Sequence, residues 1–170
     1  MPDYFQLFGL KKQFQIDLTE LDAIYRAHSS VLHPDKFAHS SAAEQALSLM
    51  KSTELNSAYQ TLKHPLARAR YLLSLQGIDT EEESNTAMPI DFLMTQMTWR
   101  EAIAEAANNL SELENIAQRL QIESFSYQQP LTEALDTAFD AERASVLVRQ
   151  LQFMNKLQFA VADAINQNLY

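Results

Sequence analysis

The chain has 170 residues, of which 46% are hydrophobic, and its formal net charge is −9 at pH 7. This hydrophobic content suffices for a packed core and is too high for a disordered chain. The absence of cysteine excludes disulfides, thiol catalysis and cysteine-bound metal clusters. The acidic charge argues against broad nucleic-acid binding, which requires clustered Lys and Arg. With only two glycines, the composition predicts an all-α protein.

Four helices are predicted in the first part of the chain. Their expected bounds are Asp3–Phe8, Asp17–Leu32, Ser41–Lys63 and Leu66–Leu75. Asp17 and Ser41 each precede a glutamate by three residues, which is the spacing of a capping box. Pro34 ends the second helix because it lacks an amide proton and disfavours the α conformation of the residue before it. Gly9 is expected just after the first helix.

Apolar residues recur at helical spacing in the two longer helices of this region. The rows comprise Leu21, Ile24, His28 and Leu32 in the second helix, and Leu47, Met50, Leu55, Ala58, Tyr59 and Leu62 in the third. Two such rows joined by a short loop predict an antiparallel pair packed face to face.

The composition changes after Gly77, where an acidic stretch with little to bury predicts a linker. Three long helices are predicted beyond it, with bounds of about Pro89–Ala107, Ser111–Thr137 and Asp140–Tyr170. Ser111 and Glu114 are read as the capping box of the middle helix, and Pro130 is expected to kink or interrupt it. Leu147, Leu151, Met154, Val161 and Ile165 form a stripe on the last helix. The predicted domains are residues 1–76, a linker at 77–88 and a three-helix bundle at 89–170.

The tripeptide His33-Pro34-Asp35, called here the HPD corner, lies between the second and third helices. Pro34 fixes one backbone angle and stiffens the turn. His33 and Asp35 then present an imidazole and a carboxylate from a rigid position. Such a preorganised polar group can compete for the salt bridges and hydrogen bonds of a partner at modest entropic cost. For an isolated tripeptide, a simple helix-ending turn is the alternative.

The sequence around the HPD corner resembles a J-domain, the module that activates the ATPase of seventy-kilodalton heat-shock chaperones. The matching positions are Tyr4, Leu7, Asn56, Ala58, Tyr59, Leu62 and Pro65. The resemblance extends to the HscB-type co-chaperones of iron–sulfur cluster assembly through Leu62–Leu73 (LKHPLARARYLL), Phe92-Leu93-Met94 and Leu151–Leu157 (LQFMNKL). It covers nearly the whole chain. No counterpart of the cysteine-bearing N-terminal extension of animal members is expected, so the resemblance implies the bacterial form.

The resemblance implies an N-terminal four-helix J-domain followed by a C-terminal three-helix bundle. It also implies a site for a DnaK/HscA-type chaperone, comprising His33, Pro34, Asp35, Lys36 and Arg26. Ser29 and Ser30 stand where relatives commonly carry basic residues, and Leu32 stands where tyrosine is common. These departures bear on the strength and salt dependence of chaperone docking.

A second apolar face is predicted on the helix that follows the linker. With Phe92 at zero on a helical wheel of about 100° per residue, Trp99, Ile103 and Ala106 fall within roughly 40° of it and face the core. The methionine patch (Leu93, Met94, Met97, Glu101 and Glu105) lies on other sides. From the residues alone, this patch either covers the N-terminal domain or linker, or binds a partner.

The resemblance favours the second interpretation of the methionine patch, because relatives use this surface to hold the cluster scaffold protein, IscU. It implies a scaffold-binding site of Leu93, Met94, Met97, Glu101 and Glu105, with Phe153 on the last helix as an adjoining member. Thr98 stands where relatives often carry glutamate, so the acidic rim is expected to be thinner.

Other candidate chemistry is weak. His28, His33 and His39 share no helical face across Pro34, so no metal site is expected, and His28 is read as a core or half-buried side chain. There is no glycine-rich phosphate loop, so no bound ATP and no other cofactor are expected. Arg68 and Arg70 are interpreted as surface or interdomain ion-pair residues. No apolar run approaches the roughly 20 residues that span a bilayer, and the N-terminus resembles neither a signal nor a transit peptide.

The expectation is therefore a cytoplasmic co-chaperone that is not an enzyme. It would stimulate the ATPase of a DnaK/HscA-type chaperone and deliver the scaffold protein to it during iron–sulfur cluster assembly. The alternatives are a general J-domain co-chaperone for unfolded clients, and an adaptor in which the tripeptide is only a turn, both without scaffold specificity.

Overall fold

The computed structural model describes residues 2–80 and 88–170, and every regular element within them is helical. The α-helices are α1 Tyr4–Leu7, α2 Leu18–Leu32, α3 Ala42–Lys63, α4 Pro65–Leu75, α5 Ile90–Glu105, α6 Leu110–Phe125, α7 Gln128–Thr132 and α8 Ala141–Leu169. A short 3-10 helix covers Pro34–Phe37, and a π-helical turn covers Glu133–Thr137. The all-α prediction is confirmed.

The chain forms two compact units, Met1–Leu72 and Leu73–Tyr170. Most of the predicted linker at 77–88 lies outside the described residues, so the predicted domain bounds stay a prediction.

The first unit is built around the α2–α3 pair. Contacts join Asp22 to Tyr59, Tyr25 to Asn56 and Leu32 to Ser48, so residue numbers rise along α2 as they fall along α3. The pair is therefore antiparallel, as the sequence predicts. Asp17 and Ser41 cap these helices by accepting hydrogen bonds from the amides of residues two or three positions later.

Several side chains of the first unit lie elsewhere than the sequence predicts. Leu47 and Met50 are exposed, because the inward position at that level of α3 belongs to the buried Ser48. His28 is exposed as well, although its ring stacks on Phe8 at 6.4 Å between centroids. The surface assignment of Arg68 is wrong, since this residue is 4% exposed. Its guanidinium is buried because it lies over the Phe14 ring, 4.7 Å from the ring centroid.

The second unit packs α5, α6 and α8 together, with α6 and α8 in the most extensive contact. Its core comprises Trp99, Ile103, Leu113, Ile116, Leu120, Val148, Leu151, Met154, Leu157 and Val161. Near the C-terminal end of α8, Asn168 donates a hydrogen bond to the main-chain oxygen of Ala107, which precedes α6. Asp140 caps α8 through the amide of Arg143, and α8 begins where the sequence predicts.

The predicted middle helix of this unit has a different N-cap from the one predicted, and it is interrupted, as the sequence predicts. Its N-cap is Asn109, which accepts a hydrogen bond from the amide of Glu112, and not Ser111. The helix also ends at Phe125, and α7 begins at Gln128. Pro130 is the third residue of α7, where a backbone N–H would have no partner within the helix. The predicted interruption is therefore confirmed, and it takes the form of a new helix whose first turn contains the proline.

Candidate functional site

The HPD corner forms where α2 changes into the 3-10 helix. His33 leaves the helical conformation, with φ −59° and ψ 130°, and Pro34 is the first residue of the next turn. The amide of Asp35 donates a hydrogen bond of 3.3 Å to Nδ1 of His33. When Nδ1 accepts this hydrogen bond, the neutral imidazole carries its proton on Nε2, and Nε2 can donate a hydrogen bond to a partner.

Both polar side chains of the corner are open to solvent. The His33 side chain is 57% exposed and that of Asp35 is 91% exposed, with Nδ1 and Oδ2 3.5 Å apart. An exposed carboxylate retains its accepting capacity for a partner's donors. Both side chains of the corner are therefore accessible to another protein.

A shallow depression of about 380 Å³ lies beside the corner. It is lined by Tyr25, Arg26, Ser29, Ser30, His33 and Lys36. Three of the five residues predicted for chaperone binding therefore line one surface, and Pro34 and Asp35 continue the chain between two of them. Within the described residues, neither Arg26 nor Lys36 forms an ion pair, so both cations are available to an acidic partner.

An aromatic and polar network supports this depression from the α3 side. The rings of Tyr25 and Tyr59 stack with centroids 3.9 Å apart, and the Tyr25 hydroxyl donates to Oδ1 of Asn56 at 2.6 Å. The Tyr59 hydroxyl donates to Oδ1 of Asp22 at 2.6 Å. Nζ of Lys63 lies 5.2 Å from the Tyr59 ring centroid. The sequence marks Asn56 and Tyr59 as pattern residues, and the structure shows that they hold Tyr25 in place.

Ser48 forms a hydrogen bond to the residue that precedes the HPD corner and was not identified from the sequence. Its Oγ donates a hydrogen bond of 2.9 Å to the main-chain oxygen of Leu32, the residue before His33. The serine is buried on the face of α3 that also carries Leu55 and Leu62. A small polar residue within an otherwise apolar helical face was the available signal.

The methionine patch is exposed on α5. Leu93, Met94 and Met97 are 41%, 61% and 62% exposed, while Trp99 and Ile103 of the same helix are buried. The helical-wheel prediction of two distinct faces is therefore confirmed for these side chains. Glu101 and Glu105 are exposed as predicted, and they supply the acidic members of the patch.

Phe153 on α8 is half-buried and makes an edge-on contact with Phe92 of α5, with ring centroids 6.1 Å apart. Nζ of Lys156 lies 5.6 Å from the Phe153 ring centroid. Phe92 precedes Leu93, so the contact brings the α8 aromatic to the N-terminal end of the helix that carries the methionine patch. The structure therefore links Phe153 to α5 without assigning it a role.

Two features are absent from the part of the chain that the structure describes. Residues 2–80 and 88–170 contain no group of three or more His, Cys, Asp or Glu side chains that could hold a metal ion. Over the same ranges, no helix combines the length and apolar character required to cross a membrane.

Comparison with known proteins identifies the family. The chain is 50% identical to the co-chaperone protein HscB homolog of Chromobacterium violaceum, over 98% of this chain and 95% of that protein. The chain belongs to the HscB family of co-chaperones. A family model described as the HscB C-terminal oligomerisation domain also matches residues 88–162.

Solved HscB structures have the same fold. Chaperone HscB from Vibrio cholerae matches with a TM-score of 0.83 and 33% identity, covering 98% of this chain and 99% of that one. Human co-chaperone protein HscB matches with a TM-score of 0.87 and 28% identity, covering 95% of this chain and 81% of that one. The family, fold class and co-chaperone function predicted from the sequence are confirmed.

Proposed function

We propose that this HscB-family chain stimulates ATP hydrolysis by a DnaK/HscA-type chaperone and brings an IscU-type scaffold protein to it for iron–sulfur cluster assembly. The observation that carries the proposal is the solvent-open HPD corner beside a depression lined by Arg26 and Lys36. The methionine patch on the other unit supports the scaffold part. The proposed place of action is the cytoplasm.

The corner acts through electrostatics and hydrogen bonding. The Asp35 carboxylate can accept hydrogen bonds that an arginine or amide of the chaperone makes internally, and Nε2 of His33 can donate to a carboxylate. Arg26 and Lys36 favour approach to an acidic surface and accelerate encounter at low salt. ATP cleavage takes place in the chaperone's own active site, so in this proposal the chain is an activator and not an enzyme.

The methionine patch suits a protein partner. Unbranched Met side chains adapt to an apolar surface, and exposed Leu93 adds area that a partner would remove from water. Glu101 and Glu105 can pair with basic residues at the rim. Because both sites belong to one chain, a bound scaffold would gain a high effective concentration at the chaperone.

ATPase measurements on a purified DnaK/HscA-type chaperone test this proposal. The chain should raise the hydrolysis rate, and addition of an IscU-type scaffold should raise it further. Asp35→Asn should retain the helical circular dichroism spectrum and the scaffold affinity yet lose the stimulation. Full stimulation by this variant would refute the role of the corner in activation, whereas an absence of stimulation by the wild-type chain would leave an adaptor role. If a denatured model client raises the chaperone's ATPase rate in the presence of the chain, and the scaffold does not, the result would favour a general J-protein.

A further inference from the structure

The Gln45 side chain contacts the loop that follows the HPD corner. Nε2 of Gln45, in the first turns of α3, lies 3.1 Å from the main-chain oxygen of Phe37. The same nitrogen lies 3.2 Å from the oxygen of Ala38 and 3.3 Å from that of Ser40. One amide group therefore bonds to three carbonyls of the segment that connects the 3-10 helix to α3.

The chemistry of the three partners fixes the orientation of the Gln45 amide. Carbonyl oxygens only accept hydrogen bonds, so the NH₂ group must face them and the amide oxygen must point elsewhere. Its two hydrogens are shared among the three acceptors. A carboxylate at this position would place an acceptor against three acceptors, and would repel the loop where the amide attracts it.

A second side chain of α3 holds the other side of the corner. Ser48 lies three residues after Gln45 and donates to the main-chain oxygen of Leu32, immediately before His33. The HPD corner is thus tied to one helix both before and after the tripeptide. Between the two ties, the amide of Lys36 bonds to the oxygen of His33 and the amide of Ser40 to that of Phe37.

We infer that Gln45 is a positioning residue that keeps the loop after the HPD corner in the conformation that docks on the chaperone. This inference rests on the proposed function. When a binding-competent conformation is only partly populated, the apparent affinity falls by the populated fraction, while the bound state is unchanged. Loss of the Gln45 hydrogen bonds should therefore weaken docking and leave the fully docked complex equally active.

The test compares Gln45→Glu with Gln60→Glu, a matched change of charge at an exposed site of α3 about 22 Å further along the helix. Both variants keep the side-chain length and a good helix former. The measurement is chaperone ATPase activity over a range of co-chaperone concentrations. Gln45→Glu should raise the half-maximal concentration about tenfold and reach the wild-type maximum at saturation. Gln60→Glu should match the wild type.

Hydrogen exchange separates a loop effect from general destabilisation. In Gln45→Glu the amides of Lys36 and Ser40 should exchange several-fold faster, while those of Leu55 and Leu62 in the core of α3 should keep their rates. Gln45→Met, which has a similar length, no donor and no charge, should give the same pattern. If the carboxylate prevents folding, the methionine variant carries the test.

Two results would overturn the inference. One is a half-maximal concentration equal to that of Gln60→Glu, and the other is unchanged exchange at Lys36 and Ser40. If the wild-type chain stimulates no chaperone, the proposed function fails, and the exchange measurement still decides whether Gln45 orders the loop.

Discussion

Nη1 of Arg68 donates a hydrogen bond of 2.7 Å to the main-chain oxygen of Leu62. Leu62 is the residue before the last one of α3, where carbonyl groups have no partner within the helix. Arg68 lies in α4, so the bond fastens the end of one helix to the start of the next. The guanidinium also covers the Phe14 ring at 4.7 Å, which allows a charged side chain to be buried.

Arg68→Met should therefore lower the free energy of unfolding by about 2–3 kcal/mol, because a buried carbonyl loses a charged donor. Urea unfolding of the full chain, followed by circular dichroism, measures this change. Arg26→Met is the matched control, since Arg26 is exposed on α2 and should change stability by less than about 0.5 kcal/mol. Equal stability of the two variants would contradict a capping role for Arg68.

Combined replacement of Leu93, Met94 and Met97 by alanine should weaken scaffold binding by about 3 kcal/mol or more, a loss above roughly a hundredfold in Kd. The side chains are already exposed in the free chain, so the unfolding temperature should change little. Isothermal titration of an IscU-type scaffold measures the affinity. Ile122→Ala with Phe125→Ala removes comparably exposed apolar groups from α6 and should leave the affinity unchanged. A triple variant that binds like the wild type would remove the methionine patch from the interface.

Ser30→Arg should strengthen chaperone docking. Ser30 lines the same depression as Arg26 and Lys36, so an arginine there adds a third cation to a surface proposed to meet acidic groups. The half-maximal concentration for ATPase stimulation should fall several-fold at low ionic strength, and the gain should shrink as salt screens the charges. Ser57→Arg, at an exposed site of α3 that does not line the depression, should have a much smaller effect. An equal gain from both variants would mean that overall charge matters and position does not.

Asp3 should make stability pH-dependent. Burial raises the pKa of its carboxyl, but hydrogen bonds from the Gln6 amide and the nearby Lys12 outweigh burial and hold the pKa below the ordinary 3.8. A lowered folded-state pKa gives stability that is present above about pH 4 and lost as pH falls through the folded pKa. The ion pair has Lys12 Nζ and Asp3 Oδ2 at 2.9 Å.

Asp3→Asn keeps an N-cap side chain and removes the charge, so it should cost about 0.5–1 kcal/mol at pH 7. The difference from the wild type should shrink as pH falls below about 4 and the Asp3 carboxyl becomes protonated. Urea unfolding at pH 7, 5 and 2 measures both. Lys12→Gln should cost a similar amount at pH 7, and the double variant should cost less than the sum of the single changes. A difference that does not shrink between pH 7 and pH 2 would contradict the assigned charge effect.

Local signals determined much of this protein from its sequence. Asp17 and Ser41 cap helices where predicted, because a cap depends on a side chain and the amides two or three residues away. Gly9 and Gly77 have φ values of 63° and 78°, as expected of residues that follow helix ends. The end of α2 at the HPD corner is local in the same way, since Pro34 lacks an amide proton and disfavours the α conformation of the residue before it.

Helical periodicity also separated the buried face of α5 from the methionine patch, because both faces are defined by residues of one helix. Helical periodicity failed where packing against neighbouring elements decides which side chains are buried. Leu47 and Met50 continue an apolar row in sequence, yet they are exposed at the level where Ser48 takes the inward position.

The sequence by itself therefore determined the long helices, the position of the HPD corner and the family. Only the tertiary structure decided that Arg68 is buried against Phe14 and that Gln45 and Ser48 hold the HPD corner. The physical reason is that Gln45, Ser48 and Arg68 each donate hydrogen bonds to main-chain carbonyl oxygens, and every residue has such an oxygen. Which carbonyl comes within hydrogen-bonding distance depends on how the chain packs, and residue identity alone cannot specify it.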